Sequence, residues 1–206
     1  MTEIKGCDGK LYVSAIFDCF DSSVIGLAMD TNMKASLCKE TLENAAKAYP
    51  GIRGAIIHSD RGIQYTSQLY REAIQKYGIQ QSMNSAGGRC HDNARCESMW
   101  ARMKTELLYD RYDTEKMTTD ELKTIIWRYF TSYWNNRRIC STNRGLPPMI
   151  KRQQYYASPE GSSIGFKILE ENVSTNIDNI RSGKGDVLFN NIRKPERTLI
   201  FRISGR

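Results

Sequence analysis

The chain has 206 residues, enough for one domain of roughly 100 to 200 residues with an appendage, and for one hydrophobic core. Its 30 Lys and Arg against 23 Asp and Glu give a net charge of +7. That favours a polyanionic partner through steering and counterion release but falls short of a histone-like charge. Six scattered cysteines without a CxxC pair, and only two histidines, argue against a zinc site and read as free thiols in a reducing cytoplasm. No leader-like segment is visible, nor any run near the roughly 18 apolar residues that span a bilayer, so a soluble cytoplasmic protein with no membrane partner is expected.

Taken in chain order, residues 11–20 and 23–29 are apolar, partly β-branched runs separated by Asp21 and Ser22, which predicts an antiparallel hairpin. Residues 34–49 carry Leu37, Leu42, Ala45, Ala46 and Ala48 among charges and end at Pro50-Gly51, a helix and its breaker. Residues 54–58 (GAIIH) form a short continuous apolar run, the pattern of a strand buried in an α/β sheet, and stop at the polar group Ser59-Asp60-Arg61-Gly62. Open α/β sheets place their ligands at such strand ends. A helix is expected over 67–77, a strand over 79–83, a flexible loop over 85–89, and helices over 92–108 and 119–133, the latter capped by Thr118, Thr119 or Asp120. From residue 157 the chain turns linker-like and then polar and weakly periodic, so disorder or marginal structure is expected to the end.

Two acids stand out. Asp60 lies just past a buried strand, where a carboxylate open to solvent suits Mg²⁺, which takes oxygen ligands and keeps several waters. Taken alone, an ordinary turn aspartate is the favoured reading. Glu97 falls in a helix on which Asn93, Glu97 and Lys104 lie within about 40° of one another, with Met99 and Met103 on the other side. In isolation this reads as a solvated helix face.

The longer pattern changes that balance. HSDRGIQYTS (58–67), GIQQSM (78–83), HDNARCESMWARMKTEL (91–107), YWNNRR (133–138) and GLPP (145–148), in this order, resemble the second reading-frame product of the insertion sequences of family three. These are DDE transposases with a catalytic core like that of retroviral integrases. The resemblance covers about residues 2–156 and implies a ribonuclease-H-like α/β fold with a mixed sheet and flanking helices. Asp60 would be the second and Glu97 the third acid of the triad. The 36 residues between them are one more than is usual, a difference best placed in the Gly87-Gly88 loop. The resemblance implies Mg²⁺ or Mn²⁺ in a two-metal site, about 3.5 to 4 Å between ions, for DNA cleavage and strand transfer.

The family's first acid lies in a T-D-x-T segment on the first strand, just before the hairpin that begins here at Gly9-Lys10-Leu11-Tyr12. Aligned on that hairpin, Met1 falls one residue after the acid, so the first strand is expected to be truncated, the triad incomplete and activity impaired. Glu3, Asp8 and Asp18 are off position as substitutes. Seven cations and no acid between Lys123 and Arg152, interleaved with Trp127, Tyr129, Tyr133 and Trp134, suggest a phosphate-binding surface, although the aromatics read better as helix core. Arg95, Lys104, Arg137 and Arg138 are the candidate DNA contacts. Expected partners are the element's DNA ends and target, a helix-turn-helix region from an upstream frame, and further copies of the chain. The domain reading is a core over 1–156 and a tail over 157–206. The competing readings are a catalytically dead DNA-binding remnant and a nuclease acting on RNA.

Overall fold

A computed structural model of the protein describes residues 1–83, 94–159 and 200–202; for residues 94, 95 and 200–202 the backbone alone is described. The elements are β1 (Thr2–Gly6), β2 (Gly9–Asp18), β3 (Val24–Asp30), α1 (Ala35–Ala48), β4 (Ile56–Ser59), α2 (Ile63–Thr66), α3 (Gln68–Lys76), β5 (Gln80–Met83), α4 (Ala94–Met103), α5 (Thr119–Arg128), α6 (Pro148–Ala157) and β6 (Ile200–Arg202). They form the expected mixed α/β architecture. β2 pairs antiparallel with β3 on one side, and with both β1 and β6 on the other; β4 pairs in parallel with β6 and β5.

The period of two along β2 sorts its side chains between two cores. Leu11, Val13, Ala15 and Phe17 join the cluster formed with α4 and α5, whose centre is Trp100, Met103, Leu122, Ile126 and Phe130. Ile16 faces the other cluster, with Leu37 and Leu42 of α1, Ile57 of β4, and Tyr65 and Tyr70. The sheet is therefore covered on both faces. Helix α1 comes unusually close to β3 at Gly26, where a Cβ would lie 2.5 Å from the Thr41 carbonyl oxygen and 2.8 Å from the Ala45 Cβ. Both obstacles belong to packed helix, so Gly26→Ala should destabilise the protein by about 1–3 kcal/mol, read as a lower urea midpoint at unchanged slope.

Local signals account for the element ends. Asp21 Oδ1 accepts from the Ser23 N–H at 2.8 Å, Ser22 takes φ +66°, and the hairpin closes as an Asx turn. The Ser67 hydroxyl caps α3, and Gly78 takes the left-handed conformation just beyond it. Thr118 and Glu121 form a reciprocal capping box on α5. Two helices depart from the expected form: α4 and α5 widen into π-helical turns over Lys104–Leu108 and Tyr129–Trp134. Helix α6, which opens with Pro148 at its first position, was not anticipated, whereas the short strand Thr2–Gly6 stands where the resemblance implied a truncated first strand. The expected 85–89 loop and most of the tail lie outside the described residues. Among the described residues no helix is long and apolar enough to cross a membrane.

Candidate active site and nucleic-acid interface

Strand β4 runs parallel to β5, and at the ends of parallel strands the connections diverge and leave a crevice. Asp60 follows the last residue of β4 directly and is half-buried. Its Oδ1 accepts from the Gly62 N–H at 2.9 Å, which orients the carboxylate, and a Cβ at position 62 would come within 3.0 Å of that same oxygen. Beside it, His58 Nδ1 and Ser82 Oγ meet at 3.0 Å and tie β4 to β5.

Glu97 stands in the first turn of α4 and is exposed, because Cys96, Met99 and Trp100 take the helix's buried face. The buried amino group of Met1 is within electrostatic range of Cys38, Cys96 and Asp60. Asp60 and Cys96, the residue before Glu97, therefore both act on the charge at the start of β1. Asn93 and the Arg95 side chain lie outside the described residues. Among the described residues no group of three His, Cys, Asp or Glu side chains is arranged to hold a metal ion.

The three acids closest in sequence to the first strand are each engaged elsewhere. Glu3 pairs with Lys10 at 2.9 Å across the β1–β2 ladder, and that hydrogen bond holds its carboxyl below the usual range, with Lys104 adding a weaker pull. Asp8 accepts from the Thr119 N–H at 2.8 Å and the Thr119 hydroxyl at 3.1 Å, joining the β1–β2 turn to the start of α5. Asp18 is buried and accepts from Arg152 Nη2 at 2.7 Å.

The cationic run from Lys123 to Arg152 does not form one surface. Lys123 pairs with Asp120 at 2.9 Å, and Lys151 Nζ donates to the Phe20 carbonyl and Asn143 Oδ1. Arg152 is buried on Asp18 and Asp21. Arg138 is only 9% exposed: its Nε and Nη2 grip Glu106 at 2.6 to 3.0 Å, and its guanidinium lies 4.6 Å from the centre of the Trp134 ring. Arg128, Arg137 and Arg144 are exposed and form no ion pair among the described residues. Of the interleaved aromatics, Tyr129 and Trp134 belong to the core while Trp127 and Tyr133 stay exposed.

Two networks were not anticipated. Glu106, from the KTEL motif, meets Arg138, from YWNNRR, with the Tyr129 hydroxyl donating to it at 2.7 Å. Burial opposes the Glu106 anion, but Arg138 and Tyr129 outweigh it and hold the carboxyl below its usual value. Arg152, just after GLPP, meets Asp18, Asp21 and Ser23 in the β2–β3 turn. The order of the motifs in the chain was the only signal that these segments converge.

Residues 1–90 match the family model of the integrase core domain. The chain is 34% identical over 155 residues to an uncharacterized transposase-like protein of Haemophilus influenzae, covering 75% of this chain and 68% of that one. It is 30% identical over 148 residues to the InsF transposase of insertion sequence IS3A of Escherichia coli, covering 72% of this chain and 50% of that protein. The chain spans about half the length of several of the curated relatives it matches. In structure it is similar to a chain of the simian T-cell lymphotropic virus intasome in complex with PP2A regulatory subunit B56 gamma, with TM-score 0.56, 18% identity, and coverage of 72% of this chain and 50% of that one. That likeness gives the fold, the ribonuclease-H-like sheet with helices on both faces. The relatives give the family: the chain belongs to the DDE transposases of insertion sequences, which carry an integrase-like core.

Proposed function

We propose that this chain is the catalytic core of a metal-dependent DNA strand-transfer enzyme that moves an insertion element, with Asp60 and Glu97 as metal ligands. The observation that supports this reading is that Asp60 directly follows the buried strand β4, held by the Gly62 N–H, while Glu97 stands exposed in the first turn of α4, next to a cysteine that, like Asp60, acts on the buried amino group at the start of β1. Both are oxygen donors, one half-buried and one open to solvent, and this donor set fits Mg²⁺ or Mn²⁺ held by one or two carboxylates together with water and substrate phosphate. When bound, the metal pair supplies an activated attacking oxygen and stabilises the leaving 3′ oxygen. The Gly62 N–H fixes the direction of Asp60, and the packed face of α4 holds Glu97 outward. Lys104, Arg95 and Arg137 contact phosphates; these contacts position the DNA without reading its sequence. Arg138 supports this surface through Glu106 and Trp134. The DNA partners are the element's ends and its target, read with the help of an upstream-frame helix-turn-helix region and a further copy of the chain.

A second reading, a DNA-binding remnant without catalysis, draws support from the pairing of Glu3, Asp8 and Asp18 with Lys10, Thr119 and Arg152, which engages each of them within the fold. The deciding experiment is Mg²⁺- or Mn²⁺-dependent nicking of a labelled duplex by this chain, by a version preceded by Thr-Asp, and by Asp60→Asn and Glu97→Gln variants of each. Nicking by the extended version alone, abolished by either substitution, is the expected result. Nicking by the unextended chain that depends on Glu97 refutes the incomplete triad, and nicking that survives both substitutions refutes the site.

A further inference from the structure

One lane of the sheet, between β2 and β4, is filled by two segments from opposite ends of the chain. β1 pairs with β2 from Gly9 to Val13, and β6 pairs with it at Phe17 and Asp18. Both run antiparallel to β2, so they point the same way and lie end to end. Only Ser14, Ala15 and Ile16 of β2 separate their pairing regions. On its other edge β6 pairs in parallel with β4, through Ile56↔Ile200, Ile57↔Phe201 and His58↔Arg202. Among the described residues, this three-residue strand is what joins the β1–β2–β3 half of the sheet to the β4–β5 half.

Neighbouring strands lie about 4.8 Å apart, so β2 and β4, two spacings apart, leave room for one extended backbone and no more. An empty lane would leave N–H and C=O groups of β2 and β4 without ladder partners inside the sheet, which is costly to bury. The lane is therefore a strand-acceptor site, recognised through main-chain hydrogen bonds rather than side chains. A three-residue ladder contributed from a distant part of the chain is weak. A segment continuous with β1 is tethered beside the lane at high effective concentration and can extend the same ladder across Ser14 to Asp18.

We infer that Ile200–Arg202 is an internal plug in this lane, and that an extended segment continuing β1 at its start displaces it, the two occupants being mutually exclusive. Because Asp60 directly follows β4, the occupant of the lane also sets how firmly that carboxylate is held. The inference concerns sheet assembly alone and does not depend on the proposed activity.

The test is amide hydrogen exchange, read by mass spectrometry, on three full-length proteins: the chain itself, a Phe201→Pro variant, and a version with six strand-forming residues ahead of Met1. In the unmodified chain the amides of Ile200–Arg202 should be protected. Phe201→Pro removes one N–H and cannot continue a ladder, so peptides covering Phe17–Asp18 and Ile56–His58 should exchange about tenfold faster or more while α5 keeps its protection. In the extended version those two regions should stay protected while Ile200–Arg202 is released. Random-coil exchange at Ile200–Arg202 in the unmodified chain overturns the plug, and continued protection there in the extended version overturns the exclusivity.

Discussion

Arg152→Ala should lower the unfolding free energy by about 3–5 kcal/mol, the range for leaving a buried charge without its partner. The guanidinium donates through Nε to Asp21 Oδ2 at 2.6 Å and through Nη2 to Asp18 Oδ2 and the Ser23 hydroxyl, each at 2.7 Å. The three charged side chains are at most 9% exposed. Removing the arginine strands two buried carboxylates, which water reaches only if the β2–β3 turn opens. Arg152→Lys should recover less than half of the loss, because an ammonium cannot present the planar fork that bridges two carboxylates. Asp18→Asn in the Arg152→Ala background should be less harmful than in the native protein, since it removes one of the stranded charges. Urea unfolding of the native protein and the four variants measures this; a loss under about 1 kcal/mol for Arg152→Ala would mean the network is solvated and the assignment wrong. The variant should also release α6, which the arginine anchors to the sheet, seen as proteolytic cleavage within 148–157.

The second large effect is expected at Glu106. Glu106→Ala should cost about 2–3 kcal/mol, below the fully buried range because the carboxylate retains some solvent contact. It leaves Arg138 stacked on Trp134 without a counter-charge and the Tyr129 hydroxyl without its acceptor. The pH dependence has a definite sign. A carboxyl held below its ordinary 4.5 contributes stability that is full above that value and is lost as pH falls through the folded-state pKa. The native protein should therefore lose stability more steeply below about pH 4.5 than Glu106→Gln, and the two curves should converge in acid. Parallel curves down to pH 2 would show that the pair contributes nothing. Because Glu106 is spent on the buried Arg138 whereas Arg137 is exposed, either Glu106 variant, if folded, should weaken DNA binding less than Arg137→Ala.

Much of the fold was legible because its signals are local. The apolar run that ends at Ser59-Asp60 marked β4 and the turn that follows it, and the Met99–Trp100–Met103 stripe oriented α4 so that Glu97 stayed outside. The motif order gave the family, and the hairpin and α1 followed from period and breakers. Less legible was the use made of the charges. Seven cations in sequence suggested one basic surface, yet Arg138 and Arg152 turn inward because each finds a carboxylate 32 and 131 positions away, respectively. A charge run reports composition; only the packing decides which members are neutralised.

The sequence by itself determined the β2–β3 hairpin, α1, β4, the turn that presents Asp60 and the family to which these motifs belong, since each depends on spacing along a short stretch of chain. The tertiary structure alone decided that KTEL meets YWNNRR through Glu106 and Arg138, that the segment after GLPP locks the β2–β3 turn through Arg152, and that Ile200–Arg202 shares a lane with β1. These are pairings between segments far apart in the chain. Their geometry depends on where the whole sheet places its edges and ends, which no local pattern encodes.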